Sequence, residues 1–293
     1  MKVRNGKAGV PAKKHYALII IHYSLLLYLF GYPLIYFGHP VILFRNVPLA
    51  DSTRFSFPYP FREVNFEPEP GAKLNALFFP TKASQKRGVV LYFHGNADNL
   101  TRWGQYADRF LNRGYDVWMY DYREFGKSRG SAVAKQDSFD EDTFYRDSEF
   151  MYQQVISQYP ESQVVLYGYS LGTGIATKVA AEHKPRLLLL EAPYYSIPDV
   201  WWQRVPIYPY ELLIQSQFGT NERISSVRCP IHFFHGTNDE VVPYESSLKL
   251  ARLLNRKPAE LITTVQGGKH KDLAGFRAYQ EGLGVWLSRI SLP

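Results

Sequence analysis

The sequence predicts an α/β domain: an eight-stranded, mostly parallel sheet with helices on both faces, preceded by one N-terminal transmembrane helix. Three observations predict it. From Phe61 onward, apolar runs of strand length alternate with stretches of helix length. Runs such as GVVLYF (88–93) and QVVLYGY (163–169) lack the apolar–polar alternation of a half-exposed strand, as expected for strands covered on both faces. Finally, the 293-residue chain opens on an uncharged apolar stretch long enough to cross a bilayer.

Composition narrows the function classes. At 45% hydrophobic and 21% charged residues, the chain can bury a sizeable core, which excludes wholesale disorder. A single cysteine, Cys229, excludes an internal disulfide framework and a multi-cysteine metal site. The balance of 34 Lys and Arg against 27 Asp and Glu gives +7 and raises the question of nucleic acid. Lys2, Arg4, Lys7, Lys13 and Lys14 account for five of those charges, so residues 15–293 carry only +2. With no basic helix or patch in the body, no nucleic-acid partner is expected.

Taken in order, residues 1–14 form a basic tail and 15–38 a membrane anchor. Tyr16 to Phe37 reads YALIIIHYSLLLYLFGYPLIYF, which as a helix is ~33 Å long against a hydrocarbon layer of ~30 Å. Tyr16, Tyr32 and Tyr36 sit near its ends, where amphipathic rings prefer headgroups, and Pro33 comes late, where a kink is tolerable. Two other readings stay open. A cleaved signal peptide would want a shorter apolar stretch and small residues at its end, which Tyr36-Phe37-Gly38-His39 does not supply. A buried or interfacial helix would suit the dilution of the apolar signal by His22, Ser24, Gly31 and the tyrosines. As an uncleaved anchor, the segment makes the lipid bilayer a partner. Its preceding positive charges predict a cytoplasmic N-terminus with the body on the opposite side.

Residues 39–60, rich in Pro, Phe and Tyr, read as a linker lying on the domain that fills 61–293. FREVNFE (61–67) and KLNALFF (73–79) form an edge hairpin about Pro68 and Pro70-Gly71. After GVVLYF come a helix over 99–113 ended by Gly114, the strand DVWMYD (116–121) and a long helix over 138–158 with an acidic start. QVVLYGY leads into a helix over 171–183 and the strand RLLLLEA (186–192). Residues 193–228 hold Trp201, Trp202, Tyr208, Tyr210 and Phe218 but no strand. IHFFHG (231–236), a helix over 244–255, the strand AELITTV (259–265) and a helix over 272–290 complete the domain.

The chemistry centres on Gly168-Tyr169-Ser170-Leu171-Gly172, a G-x-S-x-G between a buried-type strand and a helix. A sharp turn there forces the serine into a strained backbone conformation, and glycines two residues to either side let strand and helix approach closely. Serine is a weak nucleophile and needs a base that is itself oriented by an acid. Of eight histidines, His270 follows the last strand after Gly267-Gly268-Lys269, in a loop free to reach over the sheet. His94 and His235 each finish a strand in a His-Gly pair. For the acid, Asp239 in the turn Thr237-Asn238-Asp239-Glu240 competes with Asp121. Scattered His, Asp and Glu without ligand spacing give no metal site. The glycines at 168, 172 and 174 do not make a nucleotide loop, so no cofactor is expected.

The order Ser170, Asp239, His270 resembles that of the α/β-hydrolase superfamily, in which the nucleophile follows the fifth strand, the acid usually the seventh and the base the eighth. The resemblance covers about residues 61–290. His94-Gly95-Asn96-Ala97, Tyr120-Asp121-Tyr122-Arg123 with Gly126-Lys127-Ser128, and His235-Gly236 with Asp239-Glu240-Val241-Val242-Pro243 are similar to one branch. It is the branch of membrane-associated serine hydrolases that includes protein depalmitoylases and uncharacterised bacterial relatives. The resemblance implies Ser170 as nucleophile, His270 as general base and Asp239 as its orienting carboxylate. The backbone N–H groups of Leu171 and Asn96 would form the oxyanion hole, and the 193–228 segment would be a lid insertion over a lipid-like acyl substrate.

The sequence departs from the branch at Asp98 and Glu124, where glycine is expected, and at Lys269. Asp98 is expected to cap the helix beginning near Asn99, or, near the oxyanion hole, to bias against anionic substrates. His94 is expected to order the oxyanion loop, and Asp121 with Arg123 to pair or to brace the loop above the sheet. The chain is therefore expected to be a membrane-anchored serine esterase or thioesterase. The alternatives are a serine peptidase of related fold and a non-catalytic binding module.

Overall fold

The computed structural model describes residues 12–131 and 139–288. Most of the expected basic tail, and the first residue of the helix expected from 138, lie outside the described residues. The first element, α1 (Ala12–Leu43), runs through Pro33 and Pro40. It therefore continues past Gly38, and the segment expected as linker begins as helix. From Tyr16 to Phe30 nearly every side chain is exposed, whereas Gly31, Ile35, His39 and Leu43 are buried. Their spacing of four residues is one helical face; the second half of α1 is docked on the body and the first half is not.

Among the described residues the main sheet has eight strands: β1 (Arg62–Phe66), β2 (Leu74–Phe79), β3 (Gly88–Phe93), β4 (Tyr115–Tyr120), β5 (Val164–Tyr169), β6 (Leu187–Glu191), β7 (Ile231–Gly236) and β8 (Ile262–Val265). Their spatial order is β1-β2-β4-β3-β5-β6-β7-β8. Only β2 breaks the parallel run, pairing antiparallel with both β1 and β4. The hairpin expected at the edge is present, with Arg62 opposite Phe78 and Phe66 opposite Leu74.

Every residue of β3, β4, β5 and β6 is buried, Asp116 and Glu191 included, which is why these strands are apolar without the alternation of a half-exposed strand. Alternate side chains feed two cores. Val89, Leu91 and Phe93 join one, under α2 (Glu141–Ile156), α3 (Leu171–Glu182) and, past the helix α4 (Ile197–Arg204), α5 (Glu245–Leu253). Val90 and Tyr92 join the other, under the helical segment 100–111 and α6 (Arg277–Ser288).

Two expectations need correction. The helix expected over 99–113 is broken at Gly104, where a four-residue 3-10 turn separates two short α-helical pieces. The Phe57 ring fills the space a side chain at 104 would need, 2.4 Å from an ideal Cβ. The strand expected from Ala259 begins only at Ile262, because residues Pro258–Leu261 form a helical turn. Proline is pre-organised for a helix's first position.

Behind β6, Glu191 is buried with Arg109, their closest approach 3.0 Å, and accepts hydrogen bonds from the hydroxyls of Tyr167 and Tyr279. Removing the cation leaves an uncompensated buried carboxylate. Arg109→Met should therefore lower stability by about 3–5 kcal/mol, read as a shifted denaturation midpoint at unchanged slope in detergent.

Candidate active site

Ser170 sits between β5 and α3 with φ 50° and ψ −117°, the strained conformation expected of the turn. The flanking glycines are required by contact. A Cβ on Gly172 would lie 2.1 Å from the Phe93 carbonyl oxygen, and one on Gly168 2.5 Å from that of Gly172. The turn is tied down from both sides: the Ser170 N–H donates to Glu191 O at 2.9 Å, and Thr173 Oγ1 donates to Ser170 O at 2.6 Å.

The structure brings the three residues singled out in the sequence together. Ser170 Oγ lies 3.1 Å from His270 Nε2, and His270 Nδ1 lies 2.8 Å from Asp239 Oδ2. The Tyr169 hydroxyl holds the His270 carbonyl at 2.7 Å, so the residue before the serine positions the histidine's backbone. Asp239 Oδ1 accepts the N–H groups of Val241 and Val242, each at 2.8 Å.

His235, which sequence reasoning gave no role, stands 3.3 Å from Asp239 Oδ2. Its other nitrogen is 2.7 Å from Ser247 Oγ. The His-Gly pair was the only local signal for it. Burial by itself would raise the Asp239 pKa, but the hydrogen bonds from His235 and His270 outweigh that and hold the carboxyl well below the usual carboxylate range.

The rival acid, Asp121, is placed elsewhere. It faces His94 Nε2 at 3.4 Å and accepts the Leu100 N–H at 3.2 Å. Burial raises its pKa, with His94 opposing. His94 in turn receives the Tyr122 hydroxyl on its carbonyl at 2.9 Å, which fits its expected part in ordering the loop. Asp121 and Arg123 do not pair with each other. Arg123 makes a two-pronged contact with Asp147 at 2.8 and 2.7 Å and a third with Glu69, a brace above the sheet.

The loop after β3 lies beside the serine because Phe93 is opposite Gly168 in the sheet. The Leu171 N–H opens α3 and so lacks an intrahelical acceptor. Asn96 is anchored from a direction the sequence did not suggest. Its side-chain amide donates to the Leu43 carbonyl at the end of α1, and its own carbonyl accepts the Arg45 N–H at 2.8 Å. Residues 45–46 then pair parallel with 97–98.

Asp98 and Glu124 both have positive φ, 72° and 65°, which accounts for the glycine expected at each. Local bonds offset the strain: Gly130 N–H donates to Glu124 Oε1 at 2.8 Å, and Arg102 lies 3.7 Å from Asp98. Asp98 is not the helix cap. That role falls to Asn99, whose extended backbone lets its side chain accept the Thr101 N–H at 2.9 Å.

Ser170 opens onto a cavity of about 560 Å³. Its apolar walls come from Ile197, Val200 and Val205 in the 193–228 segment and from Val41, Ile42 and Leu43 at the end of α1. The α1 contribution was missed in the sequence, where 39–60 carries no periodicity to mark a pocket wall.

Comparison with known proteins agrees with this architecture. A family model described as serine aminopeptidase, S33, matches residues 84–217. Alpha/beta hydrolase domain-containing protein 17B of Homo sapiens is 27% identical over 226 residues, 73% of this chain and 71% of that protein. Lysophosphatidylserine lipase ABHD12 of Danio rerio is 28% identical over 184 residues, 55% of this chain and 46% of that protein. Among solved structures, a Pyrococcus furiosus esterase superposes with a TM-score of 0.61 at 17% identity, covering 84% of this chain and 98% of its own. At that identity the likeness is one of fold.

Two outcomes test the geometry. Gly172→Ala should cost about 1–3 kcal/mol as an overpacked contact, measured by denaturant unfolding. The Asp239 pKa is depressed in the folded state, so its ionisation stabilises the fold above the unfolded value of about 3.9, and that contribution is lost as pH falls through the folded value. In Asp239→Asn, the acid limb of the stability profile below pH ~4 should flatten.

Proposed function

Since the chain is an α/β-hydrolase relative of the membrane-associated branch, we propose that it is a membrane-anchored serine hydrolase that cleaves acyl esters or thioesters. The observation that carries this reading is the continuous line from Ser170 Oγ to His270 at 3.1 Å and on to Asp239 at 2.8 Å, opening on an apolar cavity. His270 Nε2 takes the serine proton as Oγ attacks the acyl carbonyl. Asp239 holds the ring through Nδ1 and stabilises the imidazolium that forms. The N–H groups of Leu171 and Asn96 receive the oxyanion, at the positive end of α3. His270 then protonates the leaving group, and a water activated by the same histidine releases the acyl chain.

The cavity walls favour an acyl chain as the group bound, and the relative named a lysophosphatidylserine lipase points the same way. The family model's peptidase description favours the alternative of a serine peptidase. An aminopeptidase needs a carboxylate for the substrate's ammonium group, and none of the described residues lining the cavity is acidic. A non-catalytic module remains the rival from another class. For the anchor, α1 is the one described helix long and apolar enough to cross a membrane, over Tyr16–Leu43, and the basic residues ahead of that span favour a cytoplasmic N-terminus.

Ser170→Ala should abolish turnover of p-nitrophenyl esters and labelling by a fluorophosphonate; full labelling of that variant would remove Ser170 from the mechanism. Asp239→Asn should lower kcat by roughly 10³–10⁴ by losing the orienting charge. Alkaline carbonate should leave the chain in the membrane pellet, and a C-terminal reporter should be active only on the non-cytoplasmic side.

A further inference from the structure

The helix that anchors the chain is too long for the layer it crosses, and the excess says where the body sits. The uncharged stretch from His15 to the helix end at Leu43 holds 29 residues, while a hydrocarbon layer of ~30 Å takes about 20. Every window of about 20 residues within 15–43 includes residues 24–34. Gly31 therefore lies in hydrocarbon in every register that α1 can adopt, and tilting the helix only lengthens the window.

The docked half of α1 begins at Gly31. Tyr208, in the loop after α4, packs there so closely that a Cβ at 31 would fall 2.0 Å from its hydroxyl. Its ring stacks on Tyr28 with centroids 4.9 Å apart and planes 4° apart, and it meets Tyr32 edge-on at 5.7 Å. A residue packed against positions 28–32 shares their depth.

The surroundings of Tyr208 suit that depth. Val205 to Tyr210 carries no charged residue. Ile207 and Leu212 are 53% and 79% exposed, and farther along α1 Phe37 and Val41 are 76% and 80% exposed. Large apolar side chains exposed on two elements that pack together suit an interaction surface. Val205, Val41 and Ile42 belong at once to this collar and to the lining of the cavity above Ser170.

We infer that the loop Val205–Tyr210 is immersed in the bilayer leaflet and that the mouth of the Ser170 cavity opens into it, so that the acyl chain of a membrane-resident lipid enters sideways without crossing water. This rests on the reading of α1 as a membrane span and deepens the proposed function by naming the source of the substrate.

The test uses the full chain in phospholipid nanodiscs, with Cys229→Ala and a nitrobenzoxadiazole label on Ile207→Cys or, at the amino edge of the sheet, on Gln85→Cys. The label at 207 should be quenched by doxyl groups on the lipid acyl chains and shielded from aqueous iodide, with the reverse at 85. Iodide quenching at 207 equal to that at 85 overturns the inference. As a second readout, Ile207→Glu should lower the ratio of kcat/KM for a bilayer-resident long-chain ester to that for p-nitrophenyl acetate about tenfold, with Ile207→Leu restoring it. An unchanged ratio overturns the entry route. If the wild type cleaves neither ester while the label at 207 is in lipid, the hydrolase reading fails and the immersion stands. If carbonate extracts the chain, the anchor fails and the inference with it.

Discussion

The contact between β3 and α3 is the constraint on which the site depends. A Cβ on Gly172 would lie 2.1 Å from the Phe93 carbonyl oxygen, so backbone meets backbone with no side chain between. That approach lets the chain turn at Ser170 with φ 50° and raises the serine at the carboxyl edge of the sheet. It also brings the loop after β3 alongside the head of α3, where two N–H groups can converge on one oxygen. Glu191 secures the turn from behind, its carbonyl accepting the Ser170 N–H while its carboxylate is neutralised by Arg109. A strained residue persists only where its surroundings over-determine it, and here backbone packing and a buried ion pair both do so.

Burying a charge in an apolar domain is costly unless it is paired and hydrogen-bonded. Asp239 meets that condition with two backbone N–H groups on one oxygen and two histidines near the other. His235 therefore contributes to the charge state of the acid without touching serine. His94 faces Asp121 at 3.4 Å and takes the Tyr122 hydroxyl on its carbonyl, which ties the start of the loop after β3 to the end of β4. The two aspartates are both candidate acids in sequence; in the fold Asp239 faces His270 and Asp121 faces His94.

The N-terminal helix is joined to this chemistry. Its last carbonyl, from Leu43, accepts the side-chain amide of Asn96, and the next residues pair with the same loop. Its last turn walls the cavity, and its midpoint receives Tyr208. One element thus connects the apolar segment, the residues over the cavity and the loop beside the serine. The +7 of the whole chain fits this picture, being concentrated ahead of the helix's apolar stretch and nearly absent from the body.

The sequence by itself determined the strand-helix alternation, the edge hairpin and the Ser170, Asp239, His270 order. Each rests on local patterns: apolar runs for two-sided burial, glycines for close approach, a turn after a strand. It misplaced the start of β8 by three residues, the end of α1 by five and the cap at Asp98 by one, and it did not reveal the break at Gly104, where Phe57 packs from outside the helix. Only the tertiary structure decided the rest. It set the rival Asp121 against His94, brought His235 to Asp239, and made Val41 and Ile42 part of the cavity wall. The reason is physical: periodicity records which side of an element is buried, but not what buries it.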